Sequence, residues 1–72
     1  MNPNSPVLDS ILPDSYVLRF QSLYNEGRAL SFPCDAIGGV ALDDLSERAR
    51  TNYLYARAVV GREYAVPVVQ RT

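Results

Sequence analysis

Residues 42–63 read LDDLSERARTNYLYARAVVGRE, and the interpretation of this stretch decides the fold. At about 100° per residue, Leu42, Leu45, Ala49, Tyr53, Ala56 and Val60 fall into one stripe, with Val59 and Tyr64 at its margins. That pattern is a helix lying on an apolar layer. Asp43 and Asp44 stand where a helix start needs a short acceptor for its orphan N–H groups, and Asp44 with Glu47 has capping-box spacing. One of the two aspartates is therefore the expected cap. Acids at the start (Asp43, Asp44, Glu47) and arginines toward the end (Arg57, Arg62) match the helix dipole. Asp44 and Arg48 form an i,i+4 pair worth roughly 0.2–0.5 kcal/mol. Gly61 is placed to close the helix near Val60, and Pro67 bars a longer one, so a helix is predicted over residues 43–61.

One stripe does not account for every apolar residue in this helix. Leu54 and Ala58 point roughly 120–160° away from Leu42, with Tyr55 beyond them. Two readings stand. Single apolar residues are ordinary on a surface, and Tyr55 keeps its hydroxyl in water. Alternatively, Thr51, Leu54, Tyr55 and Ala58 meet another chain, the small residues allowing close helix approach.

Upstream, residues 16–23 alternate Tyr16, Leu18, Phe20 and Ser22 against Val17, Arg19, Gln21 and Leu23; residues 28–34 alternate Leu30, Phe32 and Cys34 against Ala29, Ser31 and Pro33. A β-hairpin follows. A three-residue loop of Asn25, Glu26 and Gly27, with Gly27 left-handed, pairs Tyr24 with Arg28, Ser22 with Leu30, Phe20 with Phe32 and Leu18 with Cys34. A two- or four-residue loop would send the aromatic side chains to opposite faces. The predicted buried face is Leu18, Phe20, Leu30 and Phe32. Pro33 offers no N–H to a ladder, which marks its strand as an edge.

Residues 35–41 form a connection with a turn at Gly38-Gly39, where Ile37 and Val40 leave room for a very short strand. Residues 64–69, YAVPVV, are extended by composition. They either add as a strand, to this hairpin or to a partner's, or pack over the core. Because an isolated hairpin is barely stable, a third strand fits best. The fold class is thus α+β: a hairpin at about residues 16–34 packed on one helix at about 43–61, with a possible extra edge strand from the tail. Residues 1–15, carrying Pro3, Pro6 and Pro13, read as a flexible arm preceding a single domain over 16–72. Val7, Leu8, Ile11 and Leu12 have the spacing of one helical turn after Pro6, which leaves a docked turn as the other reading of the arm.

A domain of 72 residues buries only about 60% of its unfolded surface and needs support. Cys34 is the single cysteine and histidine is absent, so neither an internal disulfide nor a one-chain zinc site is expected. Self-association remains. Net charge −1 and a pI near 5.1 argue against an electrostatic nucleic-acid binder. The apolar runs are too short to span a bilayer, and the N-terminus lacks the features of a signal peptide, so a cytoplasmic location is expected.

Little in the sequence points to catalysis. Cys34 has no histidine to activate it and is placed facing inward beside Leu18 as a small core residue. Capping explains Asp43, Asp44 and Glu47 better than a divalent cation does. Gly38-Gly39 lacks the phosphate-loop pattern, and Arg48, Arg50, Arg57 and Arg62 form no single stripe. No catalytic residue, cofactor or metal is expected. The predicted function is that of a small non-catalytic protein acting by association, as a homodimer, with Thr51, Leu54, Tyr55, Ala58, Tyr64, Val66 and Val68 as interface candidates. The alternatives are a nucleic-acid-associated regulator using Arg19, Arg28 and the helix arginines, and a ligand or enzymatic site completed between chains.

Overall fold

The computed structural model describes residues 15–72. The predicted arm, with Val7, Leu8, Ile11 and Leu12, lies outside the described residues. Three strands, β1 (Tyr16–Gln21), β2 (Ala29–Cys34) and β3 (Val68–Arg71), form an antiparallel sheet in the order β2-β1-β3. One helix, α1 (Glu47–Ala58), lies on one face. The α+β class holds. The tail adds to the chain's own hairpin, and it does so beside β1, which becomes the central strand.

The hairpin keeps the predicted faces but not the predicted register. Leu18 pairs with Phe32, Phe20 with Leu30 and Tyr16 with Cys34, two residues from expectation. Ser22 is the cause. Its N–H donates to the Arg28 carbonyl (3.0 Å), closing the ladder, while its Oγ accepts from the amides of Tyr24 (3.2 Å) and Asn25 (3.1 Å). The chain therefore turns at Ser22, and residues 23–27 form the loop. Gln21 Nε2 braces it from within, donating to the carbonyls of Glu26 (3.1 Å) and Arg28 (3.0 Å). Gly27 does not take the left-handed conformation; Gly38 (φ 90°) and Gly61 (φ 87°) do. A shift of two preserves the side-chain period, so Leu18, Phe20, Leu30 and Phe32 still share one face.

The helix is shorter than predicted, and neither aspartate caps it. Leu42–Asp44 form a separate 3-10 turn, Leu45 is extended (φ −87°, ψ 148°), and Ser46 is the cap, its Oγ accepting from the Ala49 amide at 3.1 Å. Leu42 and Leu45 still pack on the core from this turn, and Arg50 Nε ties it to α1 by donating to the Leu42 carbonyl (3.2 Å). At the other end the Val59 carbonyl accepts from Arg62 (3.0 Å) and Glu63 (2.9 Å), and Gly61 supplies the left-handed residue that turns the chain toward the sheet.

The core joins Leu18, Phe20 and Phe32 of the sheet to Tyr53, Ala56 and Val59 of the helix region and to Tyr64. Phe20, Phe32 and Tyr53 meet edge to face, with centroids 5.9, 6.2 and 5.3 Å apart. Cys34 is half-buried against this cluster.

The edges of the sheet are both compromised as pairing surfaces. The Ser22–Arg28 bond sets the alternation along β2 so that Leu30, Phe32 and Cys34 bond toward β1, while Ala29, Ser31 and Pro33 point their backbone groups outward. Pro33 thus interrupts the free edge of β2, as expected of it. On the tail, Ser22 pairs with Tyr64 and Arg19 with Val68: three steps along β1 against four along the tail, the count of a β-bulge around Val66 and Pro67. The short β3 begins only after that proline.

Candidate interaction surface

Because Tyr53 and Ala56 face the core, the opposite side of α1 presents Thr51, Leu54, Tyr55 and Ala58 together, all exposed. Leu54 is 47% and Tyr55 45% accessible, two large apolar side chains side by side on the outer helix face, though Ile37, Val66 and Val68 elsewhere are more exposed still. Tyr55 is not a loose ring. Its hydroxyl donates to Glu63 Oε2 at 2.7 Å, anchoring it to the turn after the helix. That hydrogen bond, aided by burial and by the Glu63 charge, raises the Tyr55 pKa above its ordinary value, against a lowering influence of Arg28.

The hairpin tip joins the same end of the molecule. Leu23 N–H donates to the Glu63 carbonyl (2.9 Å), and a cavity of about 160 Å³ lies among Ser22, Tyr24, Asn25, Arg28, Glu63 and Tyr64. Tyr24 is 82% exposed and Leu23 46%. The apolar helix face therefore runs into a rim that holds Tyr24 and Arg28, residue types enriched at protein contacts, beside Glu63.

The remaining interface candidates are not gathered here. Tyr64 sits in the core at 3% exposure, held by pairing with both Ser22 and Val60, and offers no outer surface. Val66 and Val68 are exposed, but Val68 alternates with the core-facing Val69 and so lies on the sheet face opposite α1, beside Arg19. Arg19 itself donates to Gln21 Oε1 at 2.9 Å on that face. The hairpin tip was missed because the three-residue loop placed Tyr24 in the ladder, and the signal that would have found it is the pair Gln21-Ser22, whose side chains both satisfy loop backbone.

A second concavity, of about 320 Å³, opens at the other end of the sheet among Pro33, Cys34, Asp35, Ala41, Asp44 and Leu45. Burial, and then the charge of Asp35, push the Cys34 thiol pKa up, the opposite of what a nucleophilic cysteine requires. Asp35 is already engaged, its Oδ1 accepting from the amides of Ile37 (3.1 Å) and Gly39 (2.7 Å). Among the described residues no group of three or more His, Cys, Asp or Glu side chains is placed to hold a metal, and no helix is long and apolar enough to cross a membrane. No family model, no curated protein and no solved structure matches the chain.

Proposed function

We propose that this is a small, non-catalytic cytoplasmic protein that works by association and forms a homodimer through the outer face of α1. The observation that carries the reading is the adjacent exposure of Leu54 and Tyr55 on the side of the helix turned away from the core. Covering what remains exposed of two such side chains contributes on the order of 1 kcal/mol each, a useful addition for a domain of this size.

The charge distribution favours this reading over nucleic-acid binding. Arg19 lies on the outer sheet face, Arg28 at the hairpin tip, Arg50 is bonded to the Leu42 carbonyl, and Arg57 stacks over the Tyr53 ring at 5.6 Å. Scattered over several surfaces, these cations do not make the continuous basic track that a phosphate backbone requires. The test is light scattering on a size-exclusion column across a dilution series. A mass near twice 8.0 kDa at high concentration, falling toward 8.0 kDa on dilution, supports the dimer; a folded species of 8.0 kDa at every concentration refutes it.

A further inference from the structure

We propose that the concavity beside Cys34 is the seat of the chain's own residues 7–12, which close it as one apolar helical turn. The proposal is independent of the association reading above, because it concerns a different surface.

The concavity measures about 320 Å³, and its apolar walls are Pro33 and Cys34 from β2, Ala41, and Leu45 ahead of α1. Pro33 and Ala41 are exposed, and Cys34 and Leu45 are only half-buried. Ile37, on the turn whose two ends, Asp35 and Gly39, line the same space, is 90% exposed. This end of the core lacks a cover that α1 does not supply. The charged groups along its walls are both acids, Asp35 and Asp44.

Connectivity names the occupant. Tyr16 pairs with Cys34, so the residue before it, Ser15, comes level with Asp35 at the rim, where its carbonyl accepts from the amide (2.9 Å) and the hydroxyl (3.2 Å) of Thr72. Residues 1–14 are therefore tethered at the mouth of the concavity. At about 3.3 Å per residue, Leu12 stands within about 10 Å of Ser15 and Val7 within about 26 Å. The cavity at the hairpin tip lies the whole length of β1 further off. A segment tethered so closely acts at an effective concentration in the millimolar range, above that of a free partner at micromolar levels.

The chemistry of the segment fits the walls. Pro6 suits a first helical position and Pro13 bars continuation, which brackets one turn over residues 7–12. At about 100° per residue, Val7, Leu8, Ile11 and Leu12 fall within about 140° of one another, while Asp9 and Ser10 fall on the opposite side. Docked by that stripe, the turn lays its aliphatic side chains on the apolar walls and keeps the Asp9 carboxylate in water, away from Asp35 and Asp44. The opposite orientation would set like charges against one another.

Two measurements on the full chain test this. Methyl NOEs are expected from Leu8, Ile11 and Leu12 to Ala41 and Leu45 within one copy, and none between copies in a mixture of labelled and unlabelled protein. Ile11→Asp, which alters only the occupant, is expected to raise the rate at which iodoacetamide alkylates Cys34 about tenfold by uncovering it, whereas Ser10→Asp, off the stripe, leaves the rate unchanged. Arm methyls without contact to the concavity, together with equal alkylation rates in the parent and Ile11→Asp, overturn the proposal. Contacts found only between copies also overturn it and assign the concavity to a second chain's arm. Should Ile11→Asp lose its circular dichroism spectrum by unfolding, the NOEs of the parent decide.

Discussion

Replacing Gly38 and Gly61 separately by alanine probes how the chain holds its last strand. Both glycines have left-handed φ values, 90° and 87°, so each alanine pays a backbone penalty of roughly 1–2 kcal/mol. Their surroundings differ. A Cβ at Gly61 meets nothing within 4 Å, whereas at Gly38 it lies 3.3 Å from Val69 Cγ2 and 3.6 Å from Leu18 Cδ1. Val69 and Leu18 are ladder partners on the core side of β3 and β1, so a shift at Val69 pulls on the pairing of the tail. Overpacking of that kind adds about 1–3 kcal/mol, so Gly61→Ala should cost about 1–2 kcal/mol and Gly38→Ala about 2–5 kcal/mol. Against a total of roughly 4–11 kcal/mol for a domain of this length, the second loss is a large fraction of stability. Urea denaturation followed by circular dichroism separates the two: with a slope near 1 kcal/mol/M, Gly61→Ala moves the midpoint by about 1–2 M, and Gly38→Ala by clearly more. Equal midpoints for the two variants would refute the packing of the 35–39 turn over Leu18 and Val69.

Three further outcomes are expected. Ser46→Ala should cost about 1 kcal/mol in the same assay while Asp44→Ala changes stability little, because Ser46 alone accepts from the first-turn amide of Ala49; the reverse order would restore the aspartate as cap. Tyr55 donates to Glu63 as a neutral phenol, so its raised pKa contributes stability that is complete below the unfolded pKa of about 10 and is lost as pH rises through the folded value. An alkaline titration of stability should therefore fall less steeply in Tyr55→Phe, and identical curves would deny the bond a role. The Cys34 thiol, with its pKa raised by burial and Asp35, should alkylate with iodoacetamide at pH 8 more slowly in the folded protein than in urea; equal rates would contradict its half-buried placement.

What the sequence disclosed and what it hid divide along physical lines. The faces of the hairpin were legible because the two-residue side-chain period survives any even shift in register, so Leu18, Phe20, Leu30 and Phe32 were bound to share a face. The register itself depended on Ser22 and Gln21 satisfying backbone groups through side chains, a choice that alternation does not encode. The core stripe of α1 was visible in Tyr53 and Ala56. Its start was not, because Asp43, Asp44 and Ser46 are all competent caps, and the extended Leu45 selects among them. YAVPVV announced an extended tail, but its seat beside β1 follows from Gly61 reversing the chain and from Tyr64 reaching Ser22. Tyr64 fell at the margin of the core stripe and was also an interface candidate; the closed turn at Val59 and its pairing with Ser22 decide for the core. The outer face formed by Thr51, Leu54, Tyr55 and Ala58 followed directly from helical spacing, whereas Tyr24 and Arg28 joined its rim through contacts between distant parts of the chain.

Sedimentation equilibrium of the full chain beside Leu54→Asp tests the central claim most directly. The account predicts that the full chain approaches twice 8.0 kDa at tens of micromolar, while the variant stays at 8.0 kDa with an unchanged circular dichroism spectrum, since an exposed helix position tolerates the charge but a dimer seam does not. A full chain that is folded and monomeric at those concentrations, or a variant that associates as tightly as the parent, would contradict it.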